Sequence, residues 1–227
     1  MSDADQQVNE TIVRGIVVGS FQENCWVIGN RRTGEGICVD PGDQPDDILA
    51  MAHDMGVRIK YIANSHAHID HILGVGAICE ATGARFLLHA GDLELARNTA
   101  NMARNWMGAE IQNPPDPDAF LDDNDTVDVD GLQLRVLYTP GHTRGSVCFY
   151  ANGIVFAGDT LFAGSIGRTD LPGGDYDEEM ASICDRLLAL PDDTIVLPGH
   201  MDQTTIGHER QRNPYVRMEL AKRAGGQ

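Results

Sequence analysis

The stretch Ser65-His66-Ala67-His68-Ile69-Asp70-His71 follows an apolar run at residues 59–63 and places three histidines and a carboxylate within six residues. Imidazole nitrogens together with a carboxylate oxygen are donors that suit zinc, iron or manganese. In an extended segment leaving a strand, residues two apart point the same way. His66 and His68 can therefore close on one ion, while Asp70 and His71 turn toward a second position. Two ions need more donors than one loop supplies, so this reading predicts a further histidine and a bridging carboxylate downstream.

Donors of the required kind occur where later apolar runs end, in Thr139-Pro140-Gly141-His142-Thr143, Ala157-Gly158-Asp159-Thr160 and Leu197-Pro198-Gly199-His200. In each, Pro or Gly turns the chain sharply, which aims one polar side chain at a common rim. His142, Asp159 and His200 thus join the loop histidines as candidate ligands.

Around these turns the chain reads as two β-then-α halves. Apolar runs at 12–18, 25–28 and 36–40 suit a strand meander broken by Asp40-Pro41-Gly42-Asp43. A helix after Pro45, with Ile48, Leu49, Ala52 and Met55 at helical spacing, precedes the strand at 59–63. A short helix over 74–81, a strand over 85–89 and a helix from Asp92, its cap, through Trp106 follow. Residues 113–125, with three prolines and five aspartates, read as a surface loop. The runs 126–129 and 132–138 pair around Asp130-Gly131, and 147–150 and 154–157 around Asn152-Gly153. A helix over 176–190, a strand over 194–197 and a closing helical segment complete the second half. This order suggests a layered sandwich with sheets inside and helices outside.

The 227 residues are most simply one domain over 11–227, preceded by a loose polar tail at 1–10. No run has the length of a membrane span, and the start MSDADQQVNE is acidic, so the chain reads as soluble and cytoplasmic. Cys25, Cys38, Cys79, Cys148 and Cys184 are odd in number, widely spaced and mostly inside apolar runs, which fits buried free thiols. The formal charge of −17 argues against a nucleic-acid partner and against an anionic membrane. It does not steer a small anion inward either, so an anionic substrate would need local arginines.

The set H-x-H-x-D-H, then His, Asp and His, resembles the metallo-β-lactamase superfamily in order and over nearly the whole chain. Phe21-Gln22-Glu23-Asn24-Cys25, residues 158–168, and Thr204-Thr205-Ile206-Gly207 with Glu209, Arg210, Asn213 and Pro214 are similar to the single-domain glyoxalase II-like hydrolases. The resemblance implies an α/β four-layer αβ/βα sandwich and a binuclear site. His66, His68 and His142 would hold the first of two divalent ions, and Asp70, His71 and His200 the second, with Asp159 bridging; zinc comes first, with iron or manganese as alternatives. Asp40, matching the family's early aspartate, would orient a ligand. His53 and His208 are expected at the surface, and His89 in a structural place.

Such a site implies hydrolysis of a small-molecule thioester such as S-lactoylglutathione by a metal-bridging hydroxide, with Asp70 steering the proton. No separate general acid is evident, which favours a thiolate leaving group, since a free thiol has a pKa of about 8.5. The two-domain glyoxalase II enzymes grip glutathione through an added C-terminal helical domain, whereas this chain ends soon after His200. Two tyrosines of that family align here with Asp170 and Asp202, leaving Arg168 and Arg144 as candidate substrate contacts. A second resemblance, to persulfide dioxygenases, rests on the same stretches including Gly167-Arg168-Thr169-Asp170, and implies one iron held by His66, His142 and Asp159. Lactonase or β-lactamase activity ranks below both.

Overall fold

The computed structural model describes residues 10–225, so all but Glu10 of the expected polar tail lies outside the described residues. Its frame is a pair of six-stranded sheets, ordered β1-β2-β3-β4-β5-β6 and β14-β13-β10-β9-β8-β7. The first comprises β1 (Thr11–Val18), β2 (Glu23–Asn30), β3 (Glu35–Val39), β4 (Arg58–Ala63), β5 (Arg85–His89) and β6 (Ala119–Leu121). The second comprises β7 (Thr126–Val129), β8 (Leu132–Tyr138), β9 (Val147–Ala151), β10 (Ile154–Gly158), β13 (Ile195–Pro198) and β14 (Thr204–Thr205). A small ribbon, β11 (Leu161–Phe162) with β12 (Ser165–Ile166), lies between β10 and the later helices in sequence.

Side-chain alternation along each strand decides the layering. In β3, Ile37 and Val39 face the second sheet and pack with Phe149, Phe156 and Leu134. Cys38, between them, faces outward and packs with Ile48, Ile62 and Phe86 beneath the helices of the first half. The second sheet repeats this: Val155 and Cys148 turn away from the sheet interface and meet Met180, Ile183, Leu187 and Val216. Three apolar seams therefore separate four layers, as the sandwich requires, and each fully buried Ile, Leu or Phe in them contributes about 1.5–3 kcal/mol.

Both expected hairpins form, with Asp130, Gly131, Asn152 and Gly153 all at positive φ, the conformation that two-residue turns of this hand demand. Other expectations need correction. The helix expected from Asp92 through Trp106 is two, Leu93–Arg97 and Thr99–Met107. Asn113 supplies the reason, because its side chain donates to the Arg97 carbonyl (2.6 Å) and accepts from the Ala100 amide (2.7 Å), replacing helical partners there. The presumed loop at 113–125 contains β6, which pairs with β5 in parallel, and the Asp118 carboxylate accepts the Phe86 amide at 2.8 Å. The helix expected over 176–190 is α-helical at Tyr176–Ala181 and then widens to a π-helical turn at Ser182–Leu187.

Cys25, Cys38 and Cys148 are buried free thiols, while Cys79 and Cys184 are partly exposed and also free. No helix among the described residues is long and apolar enough to cross a membrane.

Candidate metal centre

The parallel strands β3, β4 and β5 lie side by side, and the chain leaves β4 into the histidine loop. That loop is clamped from both flanks. Asp40, directly after β3 and at φ 50°, accepts the Ser65 amide (2.6 Å) and the Ser65 hydroxyl (2.6 Å). Asp92, after β5, accepts the Ala67 amide at 2.9 Å. Asn64 holds the loop from within, donating to the carbonyls of His71 (2.7 Å) and His66 (3.3 Å).

The Asp92 carboxylate reaches further: it also accepts the Thr143 hydroxyl (2.8 Å) and the Gly145 amide (2.8 Å) just past His142. It thereby ties the turn after β8 to the loop after β4. Asp92 does precede a helix, but its side chain makes no capping bond there, contrary to the sequence expectation. Three strong donors in the loops outcompete one helix terminus. Asn24 performs a similar task for the last ligand, donating to the carbonyls of Pro198 (3.1 Å) and Met201 (2.9 Å) on either side of His200. A side chain at Gly199 would overlap Asp159 and His71, so glycine alone lets that turn approach.

These clamps gather the sequence candidates. Possible ligand atoms of His66, His68 and His142 lie within 4.8 Å of one another, as do those of Asp70, His71 and His200. Asp159 stands between the groups: Oδ2 is 3.6 Å from His142 Nε2 and 3.6 Å from His200 Nε2, and Oδ1 is 3.4 Å from His71 Nε2. His200 Nε2 also faces Asp70 Oδ2 at 3.2 Å.

The hydrogen-bond network assigns the tautomers. His142 Nδ1 donates to the Arg168 carbonyl at 2.7 Å, so its Nε2 presents a lone pair to the centre. Ser65 has given its hydroxyl proton to Asp40, so it accepts from His66 Nδ1 at 2.9 Å, and His66 Nε2 is likewise a lone pair. His71 Nδ1 donates to Asp40 Oδ2 at 3.2 Å. Lone pairs consequently face one another, with His66 Nε2 at 3.2 Å from His142 Nε2. His71 Nε2 and Asp159 Oδ1 are both buried with no hydrogen-bond partner among the described residues. His68 Nδ1, 2.8 Å from His142 Nε2, can donate to that one atom, but His71 Nε2 and Asp159 Oδ1 are left unpartnered; such a cluster calls for a cation, and imidazole with carboxylate is the donor chemistry of zinc, iron or manganese.

Electrostatics agree. Burial, reinforced by the neighbouring imidazoles, pushes His68 down to about 3 and His66 well below its ordinary value, which keeps their lone pairs free. Burial opposes charge on Asp159, but His71, His142 and His200 outweigh it and hold the carboxyl below its usual range. Burial likewise disfavours a charged His71, yet Asp159 and Asp40 raise it well above the ordinary histidine value. The centre therefore takes up positive charge at His71 or from an ion.

The cleft above has a volume of about 410 Å³ and includes Arg168 at its wall. Arg144 instead lines a separate cavity beside Gly91 and Pro172. Of the other histidines, His53 and His208 are exposed, and His89 stacks on Tyr138 with ring centroids 4.6 Å apart, a structural place. The C-terminal stretch acts at a distance: buried Glu209 accepts from Gly164 (2.8 Å) and Thr204 (2.6 Å), and Asn213 donates to the Ser165 carbonyl (2.9 Å), fixing the ribbon that leads to Arg168.

The sequence matches the metallo-β-lactamase superfamily over residues 18–200. It is 32% identical to the hydroxyacylglutathione hydrolase GloC of Haemophilus influenzae, over 88% of this chain and 96% of that protein. Among solved structures it is similar to the BLEG-1 B3 metallo-β-lactamase, with TM-score 0.84 and 33% identity over 90% of this chain and 99% of that one. It is also similar to TTHA1623 in a di-iron-bound form, with TM-score 0.79 and 38% identity over 89% of this chain and 99% of that one. Sequence and fold agree, and the chain belongs to the metallo-β-lactamase superfamily.

Proposed function

We propose that this protein is a metal-dependent thioester hydrolase of the glyoxalase II-like kind, acting on a small-molecule thioester such as S-lactoylglutathione. One observation carries the reading: both three-residue ligand groups are complete and Asp159 lies between them. A single-iron oxygenase needs only two histidines and a carboxylate, which would leave His68, Asp70, His71 and His200 without a task. The named activity of the Haemophilus relative and the di-iron form of TTHA1623 support the same reading.

His66, His68 and His142 would hold one ion and Asp70, His71 and His200 the other, with Asp159 shared. Two divalent cations so held, zinc first with iron or manganese as alternatives, lower the pKa of a bound water and polarise a carbonyl oxygen. The chain's own residues supply position. Asp40 fixes the tautomers of His66, through Ser65, and of His71. Asp70, at the cleft wall, accepts a proton from the attacking water and keeps its orientation through His200. Among the described residues no lysine, tyrosine or cysteine lines the cleft, so an amine leaving group would find no acid there outside the proposed ligand set. A thiolate departs unaided, which ranks thioesters above β-lactams. Five free cysteines fit a reducing compartment, and we place the reaction in the cytoplasm.

The test is metal content by inductively coupled plasma mass spectrometry on protein purified without added metal, paired with assays on both substrate classes. About two ions per chain and hydrolysis of S-lactoylglutathione are expected. One iron per chain with oxygen uptake on glutathione persulfide would replace this reading with the dioxygenase.

A further inference from the structure

The walls of the cleft differ in character from its floor. Below lie the imidazoles and carboxylates; above, Phe21, Trp106 and Met201 stand 47%, 57% and 57% exposed, and Phe162 completes an apolar rim around them. Three large apolar side chains left in water around one mouth are costly unless a ligand covers them. They come from distant parts of the sequence, the turn after β1, the helix Thr99–Met107 and the turn after β13, so no local sequence bias explains their meeting.

Charge points the same way. Among the described residues Arg168 is the only lysine or arginine lining the cleft, and its guanidinium pairs with Asp170 through two parallel hydrogen bonds of 2.8 Å each. Asp170 thereby offsets part of its charge toward a ligand. Arg144 faces another cavity, and the whole chain carries −17. Nothing here is built to hold the separate carboxylates of a glutathionyl group. A cavity of about 410 Å³ falls within the range that buries most of a small ligand.

We infer that the preferred substrate is an uncharged thioester bearing an aromatic or alkyl group, which lies across Phe21, Trp106, Phe162 and Met201 while the carbonyl meets the metal centre. The inference rests on the hydrolase reading above and, within its substrate class, ranks uncharged thioesters ahead of glutathione conjugates.

The test uses two ligand series with metal-loaded protein: thioesters of N-acetylcysteamine with acyl chains of increasing length, and acetyl thioesters of increasingly long alkyl thiols. Each has a non-hydrolysable ketone isostere in which a methylene replaces sulfur, and its dissociation constant is read by isothermal titration calorimetry. In at least one series, binding should tighten about two- to fourfold per methylene, the range from half to full burial of that group. Phe21→Ala with Trp106→Ala, both at exposed positions, should flatten that slope. Affinities flat along both series, or a glutathione conjugate binding tenfold more tightly than its N-acetylcysteamine counterpart, would overturn the inference. Turnover of short thioesters with flat binding would leave the hydrolase standing without this subsite. A steep binding slope with no thioester turnover would keep the subsite and remove the hydrolase reading.

Discussion

Replacing Asp92 by alanine should weaken metal binding without touching a ligand. The carboxylate accepts from the Ala67 amide, the Gly145 amide and the Thr143 hydroxyl, all in buried surroundings. Thr143 can fall back on Ser146 Oγ, which already lies at 2.8 Å, but the two amides have no other acceptor there. Each orphaned buried donor costs about 1–3 kcal/mol, so the loss in stability is about 2–6 kcal/mol, less where water enters the space. A native domain holds about 5–15 kcal/mol, so the variant stays mostly folded wherever the loss falls below that margin, which the unfolding curve reads directly. Ala67 sits between His66 and His68, and Gly145 lies three residues past His142, so the first ligand group loses its common anchor. Removing a partner of this kind typically lowers metal affinity about 10- to 100-fold. Urea unfolding of the metal-free protein gives the first quantity, and competition with a chromogenic chelator gives the second. Asp92→Asn, which keeps one acceptor oxygen, should fall between. A stability loss of the stated size with metal affinity unchanged within about twofold would refute the argument and leave Asp92 as a packing residue only.

Two further outcomes follow from the buried carboxylates. Asp159→Ala should lose bound metal and activity together, because that side chain faces His71, His142 and His200 at once; a fully metallated, active variant would break the site assignment. Glu179, fully buried with no well-aligned donor on either oxygen among the described residues, is pushed well above the ordinary carboxyl value by burial, with the nearby His142 amide opposing and the Asp159 charge adding. Its native pKa exceeds its unfolded one, so its contribution is intact below about pH 4 and is lost as pH rises through the native value. Glu179→Gln should therefore match the parent in acid and exceed it by about 1–3 kcal/mol in mildly alkaline urea titrations of the metal-free protein; equal midpoints at alkaline pH would contradict the burial argument.

What the sequence makes legible depends on where the interacting partners lie. His66, His68, Asp70 and His71 declare themselves because their spacing is local, and His142, Asp159 and His200 because each follows an apolar run and a glycine. The hairpins at Asp130-Gly131 and Asn152-Gly153 are legible for the same reason, since two adjacent residues set the turn. The clamps are not. Asp40 and Asp92 each grip the histidine loop from 25 residues away, and Asp92 reaches another 51 and 53 residues to the His142 turn. Half of the six atoms they bind are backbone amides, which every residue except proline carries and no motif records. The break at Asn98 stayed hidden likewise, because Asn113 makes it from another segment. Arg144 and Arg168 look alike as exposed-loop arginines, yet only the fold sends one to the cleft and the other to a neighbouring cavity.

The strand order explains why such clamps exist at all. The loop after β4 carries four candidate ligands on few residues, too many for its own turns to hold in place against the repulsion of buried lone pairs. Because β4 runs parallel to both neighbours, the chain leaves β3, β4 and β5 at the same edge. An acidic residue just past each flanking strand then lies beside the loop without any further device. Asp40 and Asp92 are that pair, one setting tautomers through Ser65 and His71, the other joining the loop to the opposite sheet. An antiparallel neighbour would end at the far edge, so the parallel core of the first sheet is what lets residues just past two flanking strands hold a crowded loop in place before any ion binds.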